Sequence, residues 1–336
     1  MKYVLAMAMT AIAAFGKDLQ DTTLLDYQYM QYAAKFNKHT HSLSEYDDRM
    51  KQFEKTQKLI ADFNAKMQSH FLGHNAYSDW TDEERAEFLS SGIVSELRDH
   101  ETLKHHYARL NTEHLPDYVN WLEHGAVTPV DKDLATCAGS WAHAAIDAIE
   151  GDNYLKTSKM ENLSAQQILD CDHTSWGCRG GLYTNAYEYA IRNPIMSEKD
   201  YPYTGKSESC KFDQAKGKVH VSNFINILPH DAMQLKMAVK LGPVAASLST
   251  ASPVFQFYKG GIISLASGCS NELTPLDSAV TIVGFGHDSH LGLEYWLVKN
   301  SWGTTWGDVG FARLAITYEG PGVCNIQTEA SVVFTN

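Results

Sequence analysis

Cys137-Ala138-Gly139-Ser140-Trp141-Ala142-His143-Ala144-Ala145 is the stretch around which the 336-residue chain is organised. After Gly139 the run turns alanine-rich, and Ala142, Ala145, Ile146 and Ile149 recur at helical spacing. This pattern predicts a helix that opens at Ser140 and carries an apolar stripe. Ser140 and His143 lie one helical turn apart, which raises the question of a serine–histidine pair. Neighbours on one helix seldom aim a base at a nucleophile while a third group orients that base. A packing role is therefore expected for His143.

Outward from this helix the two halves of the chain differ. Ser164-Ala165-Gln166-Gln167 fits a capping box, with Ser164 as N-cap and Gln167 reaching back, and opens a helix leading to Leu169-Asp170-Cys171. Gly177-Cys178-Arg179-Gly180-Gly181 reads as a tight turn that also allows close backbone approach. Beyond it, Val219–Ile227, Val244–Leu248, Ala279–Phe285, Tyr295–Val298 and Ala330–Phe334 read as strands separated by glycine and proline. A helical first lobe followed by a strand-rich second lobe gives an α+β architecture.

Upstream, residues 18–106 contain no proline and read as helical. Glu45, Arg49, Phe53, Thr56, Ile60 and Asn64 follow steps of four, four, three, four and four, which keeps them on one helical face. Phe53 and Ile60 are expected inward, with Glu45 able to pair with Arg49.

Composition sets the outer bounds. A hydrophobic fraction of 44% with 20% charged residues suits a globular chain with a sizeable core. The net charge of −12 and the lack of a lysine or arginine run make nucleic acid and anionic membranes poor partners. Met1-Lys2, the apolar run Tyr3–Phe15 and Gly16 resemble a secretory signal peptide, with Ala14 near the cut. The run is short of the roughly 20 residues a membrane span requires. Six cysteines in an oxidising compartment suggest three disulfides, for which fifteen pairings exist. Asn162-Leu163-Ser164 is a glycosylation sequon.

The opening stretch resembles the nucleophile segment of papain-like cysteine peptidases, Cys-Gly-Ser-Cys-Trp-Ala-Phe-Ser, in one register from Cys137 and from Trp141. The pattern from Glu45 to Asn64 is similar to the Glu-Arg-Phe-Asn-Ile-Asn helix of papain-family propeptides, with Thr56 replacing the first asparagine. Gly73-His74-Asn75-Ala76-Tyr77-Ser78-Asp79 is similar to their Gly-x-Asn-x-Phe-x-Asp motif. Leu115-Pro116 to Pro129-Val130 resembles the start of the mature peptidases, and the likeness then covers the chain to Asn336. The N-terminal pattern gives a signal peptide at 1–16, and the resemblance implies a helical inhibitory propeptide at 17–114 that runs through the groove in reverse polarity, and a two-lobed papain-like unit at 115–336 with a β-barrel-like second lobe. It implies the pairs Cys137–Cys178, Cys171–Cys210 and Cys269–Cys324, which leaves no free thiol.

The same alignment assigns the catalytic positions, and most are altered. Ser140 stands at the nucleophile. Ser278, in Leu276-Asp277-Ser278-Ala279-Val280, stands at the histidine, and serine is no useful base near neutral pH. Leu134 stands at the oxyanion-hole glutamine, and losing such a donor typically costs about 10²–10³ in rate. Asn300, in Lys299-Asn300-Ser301-Trp302-Gly303, keeps the orienting asparagine, followed by Trp302. Gly180 and Gly181 would hydrogen-bond an extended peptide. Relatives that condense silica also carry serine as nucleophile, but they keep the histidine. His287 and His290 are expected on the surface; without Cys or carboxylate support no metal site is expected, and no cofactor. The expectation is a secretory or lysosomal papain-fold homologue, monomeric, that no longer hydrolyses peptides and binds a peptide or protein in its groove beside its own propeptide. A weak serine-dependent hydrolase and a structural or storage protein are the alternatives.

Overall fold

The computed structural model describes residues 23–66, 68–90, 92–93, 107–130, 137–269 and 274–336. The expected signal peptide and Leu134 lie outside them. The N-terminal unit holds α1 (residues 23–35), α2 (Leu43–Asn64), β1 (His70–Leu72) and α3 (Asp82–Ser90). Ser42 caps α2 by accepting the Glu45 N–H at 3.1 Å. Phe53, Thr56 and Ile60 are buried, as the spacing predicts, and Tyr29 and Tyr32 of α1 close over Phe53 at ring distances of 5.6 and 4.9 Å.

Two expectations for this region change. Arg49 pairs with Glu84 of α3 through both guanidinium nitrogens, not with Glu45, whose carboxylate accepts the His41 N–H at 2.7 Å. A bidentate partner on a second element outcompetes an i,i+4 neighbour on the same exposed helix face. The region is also not wholly helical: β1 pairs antiparallel with the second-lobe strand Tyr258–Gly261, His70 opposite Gly261. Asn64 secures the approach by donating to the Leu72 carbonyl (3.0 Å) and accepting the Leu72 N–H (2.9 Å).

After β2 (Val119–Asn120) comes α4 (Ser140–Thr157), then α5 (Ala165–Cys171), α6 (Tyr183–Arg192), β3 (Ile195–Met196), β4 (Gly217–Val219) and β5 (Val221–Asn226). The second lobe continues with α7 (Ala232–Leu241), β6 (Val244–Leu248), β7 (Tyr258–Gly261), β8 (Ser278–Asp288), β9 (Leu293–Lys299), β10 (Phe311–Ala315) and β11 (Glu329–Thr335). The main sheet runs β10-β9-β8-β6-β11-β5, with β2 beside β8 and every pair antiparallel. Helices on one side and this curved sheet on the other realise the expected α+β, two-lobed architecture.

The helix that opened the sequence reading is the spine. From Ser140 to Asn153 it is buried on all faces except at Asp147, not along a single stripe. Its alanines let α5, α6 and strands β6, β8 and β11 pack directly on its backbone. The α5 cap is half of the expected box. Ser164 Oγ accepts the Gln167 N–H at 3.0 Å, but the Gln167 side chain turns inward to Tyr189, Pro194 and the Met196 N–H. The three disulfides join the pairs that the resemblance implies. The expected strand Val219–Ile227 is broken at His220 into β4 and β5, while β7 and β10 arise where the sequence pattern gave no strand.

Candidate active site

Ser140 is the first residue of α4 and is 3% exposed. Gly139 precedes it and Cys137 ties the turn to Cys178, so the hydroxyl is placed at the floor of the cleft between the lobes. Its Oγ accepts one hydrogen bond, from the Ala279 N–H at 3.2 Å. Ser278, equally buried, opens β8 opposite Leu248 of β6. The two serines therefore do meet across the cleft: Ser140, Ser278, Cys137, Ala138, Phe88, Gly92 and Trp302 line one hollow of about 10 Å³, room for one water at most.

No proton acceptor faces Ser140 among the described residues. The carboxyl of Asp277, the residue before Ser278, has its pKa raised to about 6 by burial, yet its Oδ1 is occupied by the Thr250 N–H (2.8 Å) and the Thr250 hydroxyl (2.9 Å). His143 lies on another face of α4, 8% exposed, edge-on to Tyr203 at 5.1 Å. A serine needs an adjacent base to become a nucleophile, and none stands there among the described residues. His287 and His290 are exposed, and no described group of His, Cys, Asp and Glu is placed to hold a metal.

Asn300 is 2% exposed and is held by its backbone N–H on Gly310. Its Oδ1 accepts the Ser301 N–H at 2.8 Å, while its Nδ2 has no partner among the described residues. Trp302 is 3% exposed and packs on Tyr77, Phe88, Phe255 and Trp306 at 5.5–6.0 Å. Two of those rings come from the N-terminal unit.

The glycines carry a steric requirement. Gly180 has φ +104°, a backbone that side-chain-bearing residues rarely adopt. A Cβ on Gly181 would lie 2.6 Å from the Trp141 ring beneath it. The Gly181 N–H points up at the carbonyl of Gly92, 3.4 Å away, and Ile93 bridges Gly181 in parallel sense. Gly92 is a position that the sequence reading missed. A Cβ there would lie 2.5 Å from the Asp277 carbonyl and 2.8 Å from Ser140 Oγ, so the N-terminal unit lays bare backbone directly on the two serines. An isolated glycine just past a helix end was the available signal.

With this geometry in view, the comparisons with known proteins are consistent from end to end. Residues 115–334 match the papain family cysteine protease domain, and residues 29–85 match the cathepsin propeptide inhibitor domain. Cathepsin L of Sarcophaga peregrina is 33% identical over 97% of this chain and 97% of its own length. "Probable cysteine protease RDL6" of Arabidopsis thaliana is 32% identical over 98% and 92%. The structure of digestive procathepsin L 3 from Tenebrio molitor larval midgut superposes with a TM-score of 0.82 at 31% identity, covering 93% of this chain and 99% of that one. The chain belongs to the papain family of cysteine proteases and carries that family's prosegment.

Proposed function

We propose that this chain is a papain-fold protein that has lost peptide-bond hydrolysis and acts by binding, with Ser140, Ser278, Leu134 and Asn300 as the relics of the catalytic set. The observation that carries this reading is the Ser140 hydroxyl, which takes its hydrogen bond from a backbone N–H and faces no base among the described residues. A thiolate–imidazole pair is what makes the family's nucleophile reactive; two hydroxyls cannot divide charge in that way. The preserved disulfides, Trp302 packing and Gly180-Gly181 turn support a groove kept for an extended peptide or protein segment. The prosegment occupies that groove in the form described, so the ligand binds only once residues 92–93 leave.

A monomeric protein of the secretory or lysosomal route fits the N-terminal pattern and the disulfides. Because the chain does not cut itself, removal of its prosegment requires another peptidase. The test is turnover of peptide substrates by prosegment-free protein, beside the variant Leu134→Gln/Ser140→Cys/Ser278→His. The reading expects cleavage by the triple variant alone. Turnover by the unaltered chain that disappears in Ser140→Ala overturns it.

A further inference from the structure

Just upstream of Leu115, residues 107–114 lie outside every helix and named strand, yet they are fastened to the second lobe along their length. Tyr107 bridges Asn226 in parallel sense, at the end of β5, which is the edge strand of the main sheet. Leu110 is gripped by a buried side chain. Gln234, 3% exposed in the first turn of α7, accepts the Leu110 N–H at Oε1 (2.6 Å) and donates from Nε2 to the Leu110 carbonyl (2.8 Å). Both ends of one amide are spent on the backbone of one residue, as a neighbouring strand would spend its own.

The half-buried Leu110 side chain packs on the second-lobe core. In the last turn of α7, Lys240 Nζ donates to the His114 carbonyl at 3.1 Å, and Trp121 Nε1 donates to the Val239 carbonyl at 2.6 Å. The chain is therefore stapled alongside α7 from its first turn to its last.

Among the described residues, these staples share no residue with the contacts that fix the rest of the prosegment. Those are β1 on β7, Tyr77 and Phe88 on Trp302, and Gly92 and Ile93 on Gly181. Contacts without shared partners are lost separately, so freeing the groove leaves the staples in place. Losing them too would bare the Leu110 seat and the β5 edge at Asn226.

We infer that the face of α7 centred on Gln234 is a binding site for an extended segment bearing one apolar side chain, and that residues 107–114 are its resident occupant. They stay docked when the prosegment is removed, and the processed chain keeps them as an N-terminal arm instead of beginning at Leu115. This holds whether or not the groove hydrolyses peptides.

The experiment is limited trypsin digestion of the full chain, followed in time by mass spectrometry. Exposed Arg109 offers trypsin the Arg109–Leu110 bond, whose N–H is the one that Gln234 holds. Cleavage there requires the segment to leave α7, so its rate follows the population of the undocked form. In the parent, products that have lost the groove-bound prosegment still carry Tyr107. Gln234→Ala removes both hydrogen bonds, and the bond is cut at least about tenfold faster, giving a product that begins at Leu110. Leu110→Ala alters the segment alone, leaves α7 as it is, and speeds the same cut severalfold. A parent whose first prosegment-free product begins at Leu110, or variants cut at this bond no faster than the parent, overturns the inference.

Discussion

His70 offers a direct measure of what holds the prosegment down. It sits on β1 opposite Gly261 and is 3% exposed, with its ring 4.9 Å from Phe63 and 6.2 Å from Tyr258. Neither ring nitrogen has a partner among the described residues, and burial alone lowers its pKa from 6.5 to about 4. The docked state therefore keeps His70 neutral, whereas the undocked state takes up a proton as pH falls below 6.5. Docking is unaffected by this group above that pH, weakens through the window from 6.5 to 4, and reaches its full loss below 4. At 1.36 kcal/mol per pKa unit the loss is about 2 kcal/mol at pH 5 and about 3 at pH 4.

The assay is thermal unfolding of the full chain at pH 7 and pH 5, beside His70→Phe, whose ring suits the same apolar slot. For a chain of this size 2 kcal/mol corresponds to roughly 3 °C. The parent is expected to lose about that much more than the variant between the two pH values. Asp277 and Glu150 also titrate with raised pKa values, but they are common to both proteins and cancel in the comparison. Equal losses in parent and variant would show that His70 is hydrated or partnered when docked, and would refute the reasoning.

The remaining predictions concern the groove. Gly92→Ala places a methyl group against the Asp277 carbonyl and Ser140 Oγ; overpacking of about 1–3 kcal/mol should raise the rate of prosegment removal by added trypsin roughly tenfold, and an unchanged rate would contradict the contact. Asp277→Asn removes a buried charge while leaving an oxygen for Thr250. Because burial raises the Asp277 pKa from 3.8 to about 6, its ionisation costs stability progressively between those values and fully above pH 6, so the variant should gain thermal stability at pH 7.5 and little at pH 4. A gain of the same size at both values would count against this.

The three groove positions were legible because each is a substitution within a local motif. Ser140, Ser278 and Asn300 each stand in a run of neighbours that fixes the register, and the heptad-like spacing of Phe53, Thr56 and Ile60 fixes a helix face. The disulfide pairs, by contrast, came only through family resemblance, since spacing alone leaves fifteen choices. What local pattern could not show is any contact made across the chain. β1 is three residues long and gains its hydrogen bonds from β7, almost two hundred positions away, so no periodicity announces it. Arg49 chose Glu84 over Glu45 for the same reason.

By itself, then, the sequence determined the order of the elements and the chemical identity of the groups at the cleft: hydroxyls where the family's chemistry uses thiolate and imidazole. Only the tertiary structure decided their surroundings. It set a backbone N–H rather than a base against Ser140, laid Gly92 over both serines, and left the Asn300 Nδ2 buried without a partner among the described residues. Side-chain chemistry is encoded one residue at a time. Proximity, desolvation and unmet hydrogen bonds exist only where distant segments are packed together.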